Sequence, residues 1–255
     1  MFSIKDKVTV ITGAASGIGL AAARHFAGQG ARVVMADIAD AGAAAGEIGA
    51  TYLRCDVRSA AEVDQLFNAV LRQQGRLDVL VNNAAVQPLF SPIAETADTL
   101  LDQVLDVNIR GVFHGVKLGA TRMRDGGRII NVASWLGQRG TAGSAIYGSS
   151  KAFVIHFSKV AAAELAPRGI TVNALCPGLV MTPAMPPQVE PLVRQVAPLG
   201  RAAEMAEIVA ALHYLASDES AYMTGTALTI DGGKSIGFGQ SMLNAAALAA
   251  AGSAA

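Results

Sequence analysis

The sequence predicts a doubly wound α/β fold: one domain on a seven-stranded parallel sheet with helices on both faces. Three observations predict it. Short runs rich in β-branched residues alternate with longer Ala-rich segments of helical period along the chain. The first six of these runs lack clean polar/apolar alternation, as strands covered on both faces do. The first run ends in a glycine-rich turn, "TGAASGIG" at 12–19, that leads at once into a helical segment.

The strands are read as 8–13, 31–37, 51–57, 77–84, 127–134, 169–178 and 226–233. Between them the helices are read as 17–29, 40–48, 60–74, 96–120, 144–166 and 203–216. Repetition of strand, helix and strand implies right-handed crossovers and hence parallel pairing. With 255 residues, 52% hydrophobic and 16% charged, the chain has material for one large core. No linker, charge block or composition shift divides it, so 1–255 reads as a single domain.

Composition excludes several roles. Lys plus Arg equals Asp plus Glu at 20 each, so there is no basic field for nucleic acid. "MFSIKDKVTV" carries charges where a signal peptide has its apolar stretch, and no apolar run is long enough to span a bilayer. Cys55 and Cys176 lie in apolar, strand-like segments and are read as buried free thiols of a cytoplasmic protein. The histidines, His25, His114, His156 and His213, show no metal-ligand spacing, so no metal is expected.

The glycine loop has the context a dinucleotide requires: a strand, a tight turn, then a helix N-terminus for the pyrophosphate. Gly13 allows the turn, and Gly17 and Gly19 allow close approach without a Cβ. Ser16 and Ile18 lie in the same loop and count as cofactor contacts. Asp37 closes the second strand, where a carboxylate can accept from the adenosine ribose hydroxyls, with Ile38 beside it. Its alternative role is to cap the next helix, for which Asp40 is also placed. Asp56 could bond the adenine amino group and Val57 pack on the ring, with a helix cap again the competing role for Asp56.

Tyr147 and Lys151 lie four apart in "SAIYGSSKAFVIHFSKVAAAELA" and so share one helix face. Ser134 ends the fifth strand, at the carboxyl edge where open α/β sheets bind ligands. Asn108 sits on the 96–120 helix in line with Leu101, Val104, Leu105 and Val112, where an amide needs internal partners. A solvated Tyr147/Lys151 pair and a structural Asn108 bonded to backbone are the structural alternatives.

"TGAASGIG", "NNAA" (82–85), Asn108, Ser134, "YGSSK" (147–151) and "PGLVMT" (177–182) fall in the order and spacing of the short-chain dehydrogenase/reductases. The chain resembles the short single-domain, Rossmann-like subgroup with TGxxxGxG and YxxxK motifs, from Lys7 to about Gly233. Ala85 stands where that family usually has Gly, a frequent variant. The resemblance implies that Tyr147 is the general acid/base and that Lys151 binds the nicotinamide ribose and lowers the phenol's pKa. It further implies that Ser134 holds the substrate oxygen and that Asn108 orders a water in the proton relay. Asn83, Ala84, Ala85, Tyr147, Lys151, Pro177, Gly178, Val180 and Thr182 would contact the cofactor. Leu136, Gly178, Met181 and Met185 would join Ser134 and Tyr147 around the substrate. A free phenol at ~10 lies about three units, or about 4 kcal/mol, too high for a base near neutrality. A cation at ~4 Å under an effective dielectric of ~20 is worth about as much.

The expected function is transfer of a hydride between NAD and a neutral, fairly apolar secondary alcohol or its ketone. Segments 86–95, 135–145 and 179–199 should line the pocket, with Trp135, Leu136, Met181 and Met185 prominent and only Arg139 and Arg194 basic. A carrier thioester should favour a more basic mouth. A polyol, sugar or dihydrodiol dehydrogenase of the same family is the first alternative. A catalytically silent NAD-binding scaffold and an NAD-dependent epimerase or dehydratase are the others. The latter usually has a different glycine spacing and a longer C-terminal part. In relatives, helices like 96–120 and 144–166 pair across subunits, so a homotetramer is expected, a dimer being the smaller option. The tail 234–255 is longer than relatives usually carry, and either packs on a neighbouring subunit or frays.

Overall fold

A computed structural model describes residues 2–88, 90–181 and 196–237. The strands are β1 (Val8–Thr12), β2 (Arg32–Asp37), β3 (Thr51–Arg54), β4 (Val79–Asn82), β5 (Arg128–Val132), β6 (Thr171–Pro177) and β7 (Ala227–Ile230). They pair in the order β3-β2-β1-β4-β5-β6-β7, every neighbour parallel. The chain winds outward in one direction through β3 and in the other from β4. The two halves meet between β1 and β4, which is where such a sheet opens a crevice at its carboxyl edge.

The helices are α1 (Gly17–Gly28), α2 (Gly42–Glu47), α3 (Ala60–Gln74), α4 (Asp98–Val104), α5 (Val112–Arg122), α6 (Ala145–Leu165) and α7 (Met205–Ala216). Residues of one strand alternate between two apolar cores. Val8 and Val10 meet Leu66, Phe67, Val116 and Val154 from α3, α5 and α6. Ile11 and Val33 face Phe26, Ile208 and Leu212 from α1 and α7. Because both faces are covered, all residues of β1, β4, β5 and β6 are buried, which is why their sequences do not alternate. Local signals set the helix ends. Ser59 Oγ accepts from Glu62 N at 3.2 Å to start α3, and Gly75, at φ +75°, ends it.

One expected element differs. The 96–120 helix is α4 and α5 joined by a widened, π-helical stretch, Leu105–Gly111. Gly111 lies so close to Val57 that a Cβ there would come within 2.7 Å of Val57 Cγ2. Asn108, with 0% exposure, is drawn to partners outside the helix. Such stretches gather at functional sites. Among the described residues, no helix is long and apolar enough to cross a membrane and no cluster of His, Cys, Asp and Glu would hold a metal. Cys55 and Cys176 are both buried and free.

Candidate active site

The carboxyl ends of six strands bring the candidate residues to one edge. At the end of β1, Thr12 Oγ1 accepts from Asn83 N at 3.0 Å and Ala84 N at 3.1 Å. Asn83 Nδ2 donates to the carbonyls of Thr12 and Gly13, each at 3.0 Å. Asn83 and Ala84 therefore brace the glycine loop. Gly13, at φ +64°, leaves no room for a Cβ, which would lie 2.7 Å from Ala84 Cα. A Cβ at Gly19 would sit 2.1 Å from Gly13 O, whereas Gly17, at φ +53°, has nothing within 4 Å on its Cβ side. Ser16 precedes α1 without capping it through its side chain. The amides of the first turn, from Gly17 through Ile18 and Gly19, thus stand as donors at a helix N-terminus.

Asp37 does not cap α2. Its Oδ2 accepts from Ala15 N at 2.9 Å and its Oδ1 from Ala39 N at 3.0 Å, while Asp40 Oδ1 accepts from Gly42 N at 2.8 Å at the start of α2. Two backbone bonds leave lone pairs on the Asp37 carboxylate for two further donors. Ile38 beside it is 60% exposed. Asp56 does not cap α3 either, since Ser59 does. It is clasped by Arg58, whose Nε donates to both its oxygens at 2.9 Å, and that guanidinium holds its carboxyl below the usual carboxylate range. Val57 is buried against Gly111.

Tyr147, Lys151 and Ser134 meet where β5 faces the first turns of α6. Lys151 is 2% exposed, and its ammonium lies 5.5 Å from the Tyr147 ring centroid and donates to Val132 O at 2.9 Å. No other protein acceptor for its remaining hydrogens lies among the described residues. Burial pushes it down to about 8. The sequence-based expectation that Lys151 lowers the phenol is not met by the protein's own groups. Burial pushes Tyr147 up to about 12, with the Ser134 hydroxyl pulling the other way as a hydrogen-bonding neighbour. The physical reason is enclosure: burial disfavours the phenolate, while the ammonium is held by Val132 O over the ring face. Ser134 Oγ also accepts from Leu136 N at 3.2 Å. Leu136 is buried in a 3-10 turn, Trp135–Gly137, pressed on α6; a Cβ at Gly137 would lie 2.6 Å from the Lys151 carbonyl carbon.

Asn108 bonds to both backbone and side chain. Its Oδ1 accepts from Val86 N at 2.9 Å, and its Nδ2 donates to Val86 O at 3.0 Å and to Ser150 Oγ at 3.1 Å. Ser150 Oγ in turn donates to Tyr147 O at 2.7 Å. The amide thus ties the loop after β4, which holds exposed Ala85, to the turn that carries the phenol. Gly178 follows Pro177 at the end of β6 and packs so tightly that a Cβ would be 2.6 Å from Asp231 Cα. Val180 is buried and Met181 is 44% exposed. Thr182, Met185 and Arg194 lie outside the described residues.

Two of the three expected pocket segments meet in a cleft beside Tyr147. Gln87, Phe90, Ser91 and Thr96 stand on one side, and Leu136, Ser144 and Ile146 on the other. Ser91 N donates to Gly143 O at 3.0 Å across it. Arg139 turns away, donating to Ser235 O at 3.0 Å. Sequence reasoning missed Thr12, Ser150 and Cys176. Ser150 adjoins Lys151 in "YGSSK", so proximity was its one available signal. The Cys176 thiol, pushed up to about 12 by burial, faces the Ser134 backbone and Lys151, a contact only the tertiary structure shows.

A family profile described as enoyl-(acyl carrier protein) reductase matches residues 13–235. An uncharacterized oxidoreductase of Mycobacterium tuberculosis is 39% identical over 244 residues, covering 91% of this chain and 98% of its own. The 3-oxoacyl-[acyl-carrier-protein] reductase of Thermotoga maritima is 36% identical over 252 residues, covering 90% and 98%. A 3-alpha-(or 20-beta)-hydroxysteroid dehydrogenase of Mycobacterium bovis is 40% identical over 233 residues, covering 89% and 88%. Among solved structures, a short-chain dehydrogenase/reductase from Serratia marcescens superposes at TM-score 0.86 with 35% identity, covering 91% of this chain and 99% of that one. A metagenomic blue fluorescent protein in complex with NADPH superposes at 0.85 with 32% identity and the same coverage.

Proposed function

We propose, from the premise that the chain belongs to the short-chain dehydrogenase/reductase family of nicotinamide-dependent oxidoreductases, that it moves a hydride between NAD and a neutral secondary alcohol or ketone. The observation that carries this reading is the half-buried Tyr147, set beside buried Ser134 and Lys151 and bordering a cleft that carries no charged side chain among the described residues. When bound, the nicotinamide takes up or supplies the hydride. The residues fit such a cofactor: open first-turn amides at Gly17, a braced glycine loop, free lone pairs on Asp37 and a buried ammonium with one protein partner.

In this reading Gly13, Ser16, Gly17, Ile18 and Gly19 hold the pyrophosphate. Asp37 holds the adenosine ribose, and Asp56, Val57 and Ile38 flank the adenine. Asn83, Ala84, Ala85, Pro177, Gly178, Val180 and Thr182 complete the cofactor wall. Tyr147 holds its proton at the phenol oxygen and passes it to the carbonyl oxygen in reduction, or accepts it from the alcohol in oxidation. Ser134 keeps its hydrogen for the same oxygen, because Leu136 N already occupies one lone pair. Lys151 contributes positive charge beneath the ring and binds the nicotinamide ribose. Asn108 positions the phenol through Ser150 and retains one Oδ1 lone pair for a water. Leu136, Gly178, Met181 and Met185 border the substrate.

NAD preference rests on Asp37 with exposed, uncharged Ile38 next to it. A second phosphate beside that carboxylate at ~4 Å and effective dielectric ~20 costs about 4 kcal/mol, and half of that exceeds tenfold. The test is a panel of secondary alcohols, polyols, steroids and acyl thioesters with NAD and with NADP, read as change in NAD(P)H absorbance. Preference for thioesters, or equal efficiency with NADP, overturns this reading. The chain is further assigned one cofactor-binding domain over 1–255, a cytoplasmic location in keeping with two free buried thiols, and a homotetrameric state. An apolar face of α4, the following π-helical stretch, α5 and α6 supports the last. Leu101, Leu105, Phe113 and Val160 are 37–43% exposed there, and Phe153 and Phe157 stack at 5.4 Å.

A further inference from the structure

Three hydroxyl side chains line the cleft beside Tyr147: Ser91, Thr96 and Ser144. In each the hydrogen already has a protein acceptor. Ser144 Oγ donates to Thr141 O at 2.7 Å, and Thr96 Oγ1 donates to Pro92 O at 3.0 Å. A carbonyl can only accept, so the Thr96 hydrogen is committed. In the 3.2 Å contact between Ser91 Oγ and Thr96 Oγ1, Ser91 is therefore the donor. All three hydroxyls present lone pairs, and no hydrogen, to the cleft. Ser144 is 7% exposed, so water competes poorly there, and it stands three residues before Tyr147 at the start of α6, on the same side of its first turn.

The reacting centre has the opposite polarity. Ser134 has one lone pair filled by Leu136 N and turns its hydrogen toward the Tyr147 oxygen, and Tyr147 holds its proton. A substrate therefore meets donors at one oxygen and fixed acceptors next to it. Gln87 is the one amide among the described lining residues and carries both polarities.

We propose that the substrate is a hydroxyketone or the corresponding diol, whose second hydroxyl donates its hydrogen to Ser144 Oγ. This rests on the oxidoreductase reading and narrows it. In reduction the carbonyl carbon would take a hydride from the reduced nicotinamide and the carbonyl oxygen would take the proton that Tyr147 holds, leaving a phenolate that solvent reprotonates; the second hydroxyl is unchanged. Phe90, Leu100, Leu136 and Ile146 offer apolar surface beside these hydroxyls. A 3-oxoacyl thioester offers a second carbonyl at this place, an acceptor against acceptors, and leaves Ser144 Oγ without a donor. A site that hydrogen-bonds a substrate hydroxyl rejects the analogue that lacks it.

The test compares matched pairs on the full chain: 3-hydroxy-2-butanone against 2-butanone, and 2,3-butanediol against 2-butanol. The hydroxylated member is expected to lead in kcat/KM by about tenfold or more, and Ser144→Ala is expected to bring that ratio near one. Equal kcat/KM within the pairs in the unmodified protein overturns the proposal, whatever the variant does. So does a higher kcat/KM on acetoacetyl-coenzyme A than on the hydroxyketone. Loss by one common factor on both members in Ser144→Ala removes Ser144 from recognition and leaves it a structural role at the start of α6. No turnover of any member with NAD or NADP defeats the oxidoreductase reading itself, an outcome distinct from a missing preference.

Discussion

Asn108→Ala removes three hydrogen bonds at a residue with 0% exposure. Two of them hold the backbone of Val86, whose N–H and C=O then have no protein partner. Each orphaned backbone group costs about 1 kcal/mol at a half-buried position where water restores part of the loss. The missing amide also leaves a small void between the π-helical stretch and α6. The sum is roughly 2–3 kcal/mol, which for a domain of this size lowers Tm by about 5–10 °C. Catalysis should suffer separately, because Ser150, which bonds the Tyr147 carbonyl, loses its tie to the loop after β4. A fall in kcat with little change in NAD affinity is expected, since none of the three partners lies in the glycine loop. Asn108→Asp should be worse than Asn108→Ala: a carboxylate still accepts from Val86 N but has no hydrogen for Val86 O or Ser150. Thermal unfolding and steady-state kinetics on both variants decide it. A melt within 1 °C of the unmodified protein, or an Asp variant as stable as it, would refute the positioning role.

Lys151→Met should stabilise the protein while ending turnover and weakening NAD. Folding lowers the ammonium from 10.5 to about 8, so its charged form is disfavoured in the fold at 2% exposure. That cost is full below about pH 8. It is relieved as pH climbs toward about 10.5, because in that window the unfolded chain binds more protons than the folded one. Removing the charge should recover about 2 kcal/mol at pH 7 after the loss of the Val132 bond, and the gain should vanish near pH 10, as read by urea unfolding. A variant less stable at pH 7 contradicts this. Combining Asp37→Ser with Ile38→Arg should shift efficiency from NAD toward NADP by more than tenfold; an unchanged ratio would show that Asp37 serves only Ala15 and Ala39. Light scattering at micromolar concentration should give a tetramer's mass, and a monomer's mass would reject the reading of the apolar face.

Much of the fold was legible because it follows from local pattern. The β-branched runs became seven strands, and the glycine loop became the link from β1 to α1. What stayed hidden depends on contacts distant in sequence. The π-helical stretch at Leu105–Gly111 carries the contact of Gly111 with Val57 and the bonds of Asn108 to Val86 and Ser150, none of which periodicity reports. The pairing of Tyr147 with Lys151 was legible from spacing. The direction of the phenol's shift was not, because it turns on how deeply the hydroxyl is enclosed and on Val132 O holding the ammonium. Asp37 and Asp56 were legible as strand-end carboxylates. That Ala15, Ala39 and Arg58 hold them in place required the loop conformations.

Tyr147 is proposed to carry the proton, while the glycine loop, Asp37 and Lys151 supply most of the cofactor's binding. Tyr147→Phe keeps the ring under which Lys151 sits and removes only the hydroxyl. The decisive measurement is turnover of a reactive secondary alcohol or ketone together with the NADH Kd by fluorescence, on this variant and the unmodified protein. Turnover is expected to fall by about two to four orders of magnitude, with Kd changed less than about threefold. Retention of a tenth or more of turnover, with the cofactor still bound, would contradict it.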